Sequence, residues 1–389
     1  MLKPEYPPCI LLDARNLTDT PAGVGNYAKN LIPRLVEQAG DAMRWIVIRH
    51  ESNLTPLHTL DDPSRYMELS SPHNHGDLRD FALGSADLHK WLRTWGPVDI
   101  VHDLFHISPF RWFNFGPHYQ PKFITTLHDF IWIDHPLASQ PTLSKALWVK
   151  TFGTLSIPHT IYHSDHVICV SEATRERASL WLDPGASSVI AHGVHPSFFE
   201  QPPALPEALI NEIANEPYIC CVSNDKRYKN VDILLQAFAA HRRRHQTGKL
   251  VLVGKYQRLR HMAAELGISD HVVFTGILNQ NQMHAVVAHG TLFVFPSLVE
   301  GFGLPPLEAM ACGVPTAIAD IEPMRSIADS GAMRFDPHNP EELGLIISRQ
   351  LQREDLHQHW KERAQQRARQ FTWERCAQHT LDVYRNLLT

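Results

Sequence analysis

Two glutamates eight positions apart, Glu300 and Glu308, bracket the segment Glu300-Gly-Phe-Gly-Leu-Pro-Pro-Leu-Glu308. A carboxylate pair at this range could work as general acid and base, as in glycoside hydrolysis. It could also grip hydroxyls as hydrogen-bond acceptors. The intervening residues favour the second chemistry. The run Leu292-Phe-Val-Phe-Pro296 predicts a strand ending in a turn. Gly301 and Gly303 let backbone amides approach a ligand closely, and Pro305 and Pro306 suit the first turn of a helix. Gly313, with Pro315 after it, predicts a left-handed stop to that helix. A glycine-containing loop feeding a helix N-terminus is a ready anion site. Glu308 is expected in the helix's first turn and Glu300 at the strand's end, so that the carboxylates flank one anion-binding turn.

Holding such a turn requires a sheet. Short apolar runs alternate with helical patterns along nearly the whole chain, which predicts α/β structure with parallel sheets. The first series predicts a strand over 9–13, a loop with Gly23 and Gly25, and a helix from about 26 to 38. Further strands are expected at 45–49, 100–101, 123–127 and 166–170, with Ser171 capping a helix. A second series starts with a strand over 218–222 and continues with strands at 249–253, 272–274, 292–295 and 314–319. Helices are expected between them over 230–242, 261–266 and 280–288. The proline-rich stretch 196–206 reads as a linker, and 340–389 reads as helical with a break near Phe371. Two similar α/β domains imply a cleft, and open parallel sheets bind ligands beyond the carboxyl ends of their strands.

Bulk properties agree. A chain of 389 residues suits two domains, and 43% hydrophobic, 20% charged residues with mean hydropathy −0.23 describe a soluble globular protein. A net charge of −5 argues against a nucleic-acid partner. No apolar run approaches the ~20 residues that cross a bilayer, and the first residues lack the apolar stretch of a secretory signal, so a cytoplasmic location is expected. The six cysteines include no C-x-x-C pair and are read as buried thiols. The 25 histidines can move the net charge near pH 6.5.

At Glu300–Glu308 the sequence resembles the retaining nucleotide-sugar glycosyltransferases of family four, including bacterial mannosyltransferase-like members; their E-x7-E motif is matched by these two glutamates. The resemblance implies the GT-B fold: two Rossmann-like domains with parallel sheets facing across a cleft. It sets an acceptor-side domain over 1–195, a donor domain over 196–372, and a helix over 373–389 packing back on the first. It implies that Glu308 bonds the donor ribose and Glu300 contacts the transferred sugar. Amides of Gly301, Phe302, Gly303 and Leu304 would hold the diphosphate or sugar. Cys220-Cys-Val-Ser-Asn-Asp-Lys-Arg-Tyr-Lys-Asn230 fits the family's phosphate-binding segment, with Lys229 as its lysine. Ser223-Asn224 replaces the usual glycine there, and Arg227 or Lys226 would supply a second charge. Asp13-Ala-Arg15, the Gly23 and Gly25 loop, and the Thr126-Leu-His128-Asp129 step complete the match, with His128 on the donor sugar or a reacting oxygen. His192 stands where the family usually has a small polar residue, and Gly193 fits a hinge.

The resemblance implies a retaining transfer of a hexose, mannose favoured, from a nucleoside diphosphate donor such as GDP-mannose. The acceptor would be a glycan or lipid-linked saccharide in surface polysaccharide or lipopolysaccharide synthesis. No D-x-D pair stands at a strand end, so no cofactor and no metal are expected. His102-Asp-Leu-Phe-His106 and Asp134-His135 read as core or surface groups rather than metal ligands. The aromatics Phe110-Arg-Trp-Phe-Asn-Phe115 leave a peripheral contact with the inner face of a membrane open beside ordinary packing. Rival readings are a hydrolysing nucleotide-sugar epimerase and a catalytically silent nucleotide-sugar or glycan-binding partner. A dinucleotide oxidoreductase lacks the third glycine of G-x-G-x-x-G.

Overall fold

Strands buried on both faces are the condition for an all-parallel sheet, and the apolar runs meet it. Cys9–Asp13 and Leu292–Phe295 are buried at every position. The computed structural model describes residues 6–17, 23–52, 57, 64–72, 97–106, 121–213, 216–353 and 355–389. The aromatic run 110–115 lies outside the described residues.

The chain divides into two compact units: Met1–Ile133, Lys150–Gly193 and Trp373–Thr389 form the first, and Asp134–Val149 with Val194–Thr372 form the second. In the first, β1 (Cys9–Asp13), β2 (Arg44–His50), β3 (Tyr66–Ser71), β4 (Ile100–Asp103), β5 (Lys122–Leu127), β6 (His166–Cys169) and β7 (Ser187–Val189) pair in the order β3-β2-β1-β4-β5-β6-β7. In the second, β8 (Tyr218–Val222), β9 (Lys249–Val253), β10 (Val272–Gly276), β11 (Leu292–Phe295), β12 (Thr316–Ala319) and β13 (Met333–Phe335) pair in the order β10-β9-β8-β11-β12-β13. Every pairing between neighbouring strands is parallel. Both sheets are therefore doubly wound, and the strand order reverses at β1/β4 and again at β8/β11.

Five helices bear on the site: α1 (Val24–Ala39), α2 (Glu172–Ala178), α3 (Val231–His245), α4 (Leu304–Ala311) and α5 (Trp373–Leu388). Amphipathic spacing on α3 puts Leu234, Leu235 and Phe238 wholly inside, against Leu250, Leu252 and Val294 of the sheet. Each such burial is worth roughly 1.5–3 kcal/mol. On α5, Trp373, Cys376, Thr380 and Tyr384 face inward in the first unit, at the spacing of one helical stripe.

Three features depart from the expected elements. The segment 134–149 groups with the second unit because the turn Pro136–Ser139 packs against the Arg227–Lys229 turn. Helix α1 begins at Val24, so Gly25 is an ordinary helical residue and only Gly23, with φ 55°, uses glycine's freedom. Strands β3 and β13 were not legible in the sequence. Each is an edge strand with half-buried or exposed positions and so lacks a continuous apolar run. All six cysteines are free, and all but the half-buried Cys312 are buried.

The ladder between β8 and β9 extends one step past Val222, where Ser223 N–H donates to Val253 at 3.0 Å. It brings Gly254, at φ 135°, so close that a Cβ there would sit 1.9 Å from the Ser223 carbonyl oxygen. Gly267, at φ 69°, has open space around the same position. Gly267→Ala is therefore expected to cost about 1–2 kcal/mol of left-handed strain, and Gly254→Ala clearly more, because backbone must also move. Denaturant midpoints of the two variants check this order.

Candidate active site

At the reversal between β8 and β11 the two chains leave the sheet in opposite senses, and their loops share one crevice. The loop after β8 passes Ser223, Asn224 and Asp225 and closes in a single tight turn, Arg227–Lys229. Asn230 then takes φ 53° and starts α3, tied to its surroundings by a 2.8 Å bond from its amide to the Pro337 carbonyl. Asparagine tolerates that left-handed geometry better than most side chains. The loop after β11 is stitched to this turn by Leu298 N–H, which donates to the Tyr228 carbonyl at 2.8 Å.

That stitch sets Lys229 against Glu300, with Nζ donating to Oε1 at 2.5 Å. Their side chains are only 14% and 11% exposed, so the pair is well shielded from water. The Tyr228 and Phe295 rings flank the ammonium, with centroids 5.1 and 5.4 Å away. A cation and an anion separated by 71 positions in sequence therefore meet at one point. Arg227 and Lys226 are both exposed on the turn, Lys226 reaching over the Tyr228 ring.

Beyond Glu300 the chain turns through buried Gly301 and Phe302 into Gly303, which holds φ 106° as the N-cap of α4. A Cβ on Gly303 would meet Met324 at 2.2 Å. Pro305 and Pro306 remove two of the four amides that a helix start usually offers, leaving those of Gly303 and Leu304 for an anion. Phe302 is 5% exposed with its ring edge-on to Phe371, so it can serve a ligand only through the backbone amide expected of it. One expectation needs correcting. Glu308 sits in the second turn of α4, because the helix starts at Leu304. It is a half-buried group whose carboxyl desolvation pushes up to about 7. Ser297, fully buried in the same loop, has a hydroxyl without a hydrogen-bond partner among the described residues.

In the first unit, His128 lies one residue past β5 and is 5% exposed. Its Nε2 meets the Leu104 carbonyl at 2.9 Å, and a carbonyl can only accept, so Nε2 carries the proton. Burial, with His106 adding to it, lowers the pKa of His128 to about 4 against the opposing pull of the Leu104 carbonyl and Asp129. The ring is neutral at pH 7 and presents Nδ1 as an acceptor. Tyr27 packs edge-on to it at 5.1 Å, and His192 lies 5.6 Å away, itself held neutral by burial and by His128. Asp13 and Arg15 form a buried bidentate pair, with Nη2 to Oδ2 at 2.8 Å and Nε to Oδ1 at 3.0 Å. Gly23 caps α1 without a side chain of its own.

Two doubly wound parallel sheets, with a paired Lys and Glu at the second sheet's switch point, define the architecture. Residues 21–198 match the family described as Glycosyltransferase Family 4, and residues 185–367 match Glycosyl transferases group 1. The chain belongs to the glycosyltransferases built from these two domains, and its fold is GT-B. It is 26% identical over 302 residues to the serotype-specific mannosyltransferase WbdA of Escherichia coli, which covers 76% of this chain and 34% of that protein. The chain thus spans about a third of the length of the WbdA proteins it matches. The O-antigen chain mannosyltransferase B of Escherichia coli is 22% identical over 381 residues, 94% of this chain and 96% of that protein. A GDP-mannose-dependent alpha-(1-6)-phosphatidylinositol monomannoside mannosyltransferase of Mycobacterium tuberculosis is 33% identical over 197 residues, 47% of this chain and 49% of that protein. Sucrose-phosphate synthase from Thermosynechococcus elongatus superposes with TM-score 0.77 at 19% identity, covering 98% and 99% of the two chains. Anabaena HepE in complex with UDP-glucose does so with TM-score 0.71 at 17% identity, covering 97% and 99%.

Glu308 carries a stability signature that can be measured. Its folded pKa, about 7, lies above the ordinary 4.5, so the stabilising protonated form is lost as pH rises from 4.5 through 7. Glu308→Gln removes that loss. The variant is expected to gain on the order of 2 kcal/mol over the parent at pH 8, with the gap closing below pH 4.5. Denaturant titrations at the two pH values decide it; a gap that is constant with pH would contradict the burial of a charged carboxylate.

Proposed function

We propose that the chain is a retaining glycosyltransferase that moves a hexose from a nucleoside diphosphate to a glycan or lipid-linked saccharide in surface polysaccharide synthesis. The observation that carries this reading is the shielded Lys229–Glu300 pair beside the Gly303–Leu304 helix start. A donor entering there offers the two groups better partners than each other. Its diphosphate takes the Lys229 ammonium and the Leu304 amide, and its sugar hydroxyls take the Glu300 carboxylate. Glu308, one turn into α4, takes the ribose hydroxyls. The opened pair then matches the charge that grows on the leaving phosphate.

In the reaction, the bond between the anomeric carbon and the phosphate oxygen breaks, and its electron pair leaves with the oxygen. The acceptor hydroxyl oxygen bonds to the anomeric carbon from the same face, and its proton passes to the leaving phosphate. Configuration is retained. A covalent intermediate on Glu300 is the rival route, and a carboxylate held at 2.5 Å by an ammonium is a poor nucleophile, which favours the front-face course. In the first unit we assign His128 Nδ1 to accept a bond from a substrate hydroxyl. The charge work falls to Lys229, so no metal enters any step. Mannose from GDP-mannose is the favoured donor because the relatives above are mannosyltransferases, one of them named as GDP-mannose-dependent. UDP-glucose, the ligand of HepE, is the second donor to test. No helix among the described residues is long and apolar enough to cross a membrane; for a lipid-linked acceptor we place the transfer at the membrane surface.

Calorimetric titration with GDP-mannose, UDP-glucose and NAD is the first experiment, followed by the anomeric configuration of the product by NMR. A sugar nucleotide is expected to bind with or without chelator. Lys229→Ala and Glu300→Gln are each expected to lower turnover by about 100-fold or more. Tight binding of NAD alone would overturn the reading, an inverted anomer would overturn retention, and full activity of Glu300→Gln would remove that residue from the site.

A further inference from the structure

Four fully buried polar side chains on four elements of the first unit join in one chain. Tyr384 Oη on α5 meets His102 Nδ1 on β4 at 2.6 Å. His102 Nε2 meets Thr126 Oγ1 on β5 at 2.8 Å, and Thr126 Oγ1 meets Tyr27 Oη on α1 at 3.1 Å. All four residues are 0% exposed. The Tyr27 ring at the far end is the surface against which His128 packs edge-on, at 5.1 Å and 82°, and it lies 4.8 Å from the His192 ring. Thr126 lies in β5 and His128 one residue past its end, two positions apart, and the Tyr27 side chain touches both.

The chain transmits order as well as position. Burial raises the pKa of Tyr27 and of Tyr384 well above the ordinary value, so both phenols keep their protons. Thr126 has one proton for two partners, so it can donate to at most one of them. A neutral imidazole donates from one nitrogen and accepts at the other. With a neutral His102 ring, a Tyr384 that donates to Nδ1 makes Nε2 the donor to Thr126, and a Thr126 that donates to Nε2 makes Nδ1 the donor to Tyr384; Tyr27 can donate to Thr126 in either case. An apolar core of the same shape would be no less stable. Polar groups here instead fix where each member sits.

We propose that Tyr384 is a positioning residue for the transfer reaction, acting through His102, Thr126 and Tyr27 to hold the His128 ring in place. The inference rests on the reading that His128 accepts a bond from a substrate hydroxyl. It makes the C-terminal helix part of the active machinery rather than a cover for the sheet. A separate surface tie on the same helix provides the control: Arg34 Nε meets Glu374 Oε1 at 2.7 Å, with Glu374 half exposed.

The test uses the full chain and steady-state turnover of GDP-mannose, or of UDP-glucose should calorimetry select it. Tyr384→Phe deletes one hydroxyl and leaves the packing. It is expected to lower kcat about five- to tenfold with donor KM nearly unchanged, and to lower the thermal midpoint only modestly, as one buried nitrogen left without its partner requires. Thr126→Val should do the same, Thr126→Ser should restore most of the rate, and Tyr384→Phe with Thr126→Val should be no worse than either alone. Glu374→Ala, which loosens the helix at the surface, should leave kcat at the parent value. The proposal is overturned by a parent-like kcat in Tyr384→Phe, by additive losses in the double variant, or by Glu374→Ala losing as much rate as Tyr384→Phe. His128→Ala separates the two readings. Full activity there would overturn the role of His128 and this proposal together, whereas an inactive His128→Ala beside a parent-like Tyr384→Phe would sink this proposal alone.

Discussion

Parallel pairing of β8 with β11 is the constraint on which the second unit's chemistry depends. The two strands are neighbours in the sheet yet far apart in sequence, and each continues into a connection that departs on its own side. Their carboxyl-end loops must therefore share a crevice. One loop carries Lys229, drawn inward, and the other carries Glu300. The bond from Leu298 to Tyr228 fixes the register between the loops. With the loops so held, an ammonium and a carboxylate find each other without any ligand. A site whose charges satisfy one another at rest can be buried without leaving a bare charge in low dielectric.

The first unit solves a different problem. It holds an uncharged imidazole at the end of a strand, and neutrality follows from burial combined with His106 nearby. A carbonyl on Nε2 then decides which nitrogen keeps the proton. Around it the polar groups of the core are arranged in a chain reaching the C-terminal helix, so that residues from both ends of the polypeptide determine the placement of one ring. The helix α5 packs its apolar stripe on this unit, which is why the final residues group with the first sheet and not with the sheet that precedes them in sequence.

What was legible in the sequence has a common physical origin. The central strands could be read because burial on both faces demands continuous apolar runs, and the helix after Gly303 because prolines and glycines punctuate it at both ends. Gly313 is a case in point, with φ 76° where a left-handed stop was expected. The edge strands β3 and β13 were not legible, since an edge with solvent on it carries mixed residues. The second-turn place of Glu308 was missed because the helix starts one residue after a glycine whose own conformation no propensity reveals. The pattern Cys220–Asn230 could name Lys229 by resemblance, but nothing in it distinguishes an inward lysine from Lys226, which is exposed.

By itself, then, the sequence determined two α/β series, the glycine-and-proline turn and the family resemblance, all of them local patterns set by backbone sterics and apolar periodicity. Only the tertiary structure decided which carboxylate meets which lysine, how far Glu308 is desolvated, and which nitrogen of His128 holds its proton. It alone joined Tyr384 to Tyr27, through side chains whose sequence separations of 282, 24 and 99 no local pattern can span. Contacts of that kind depend on strand order and helix docking, which follow from burying the whole chain at once.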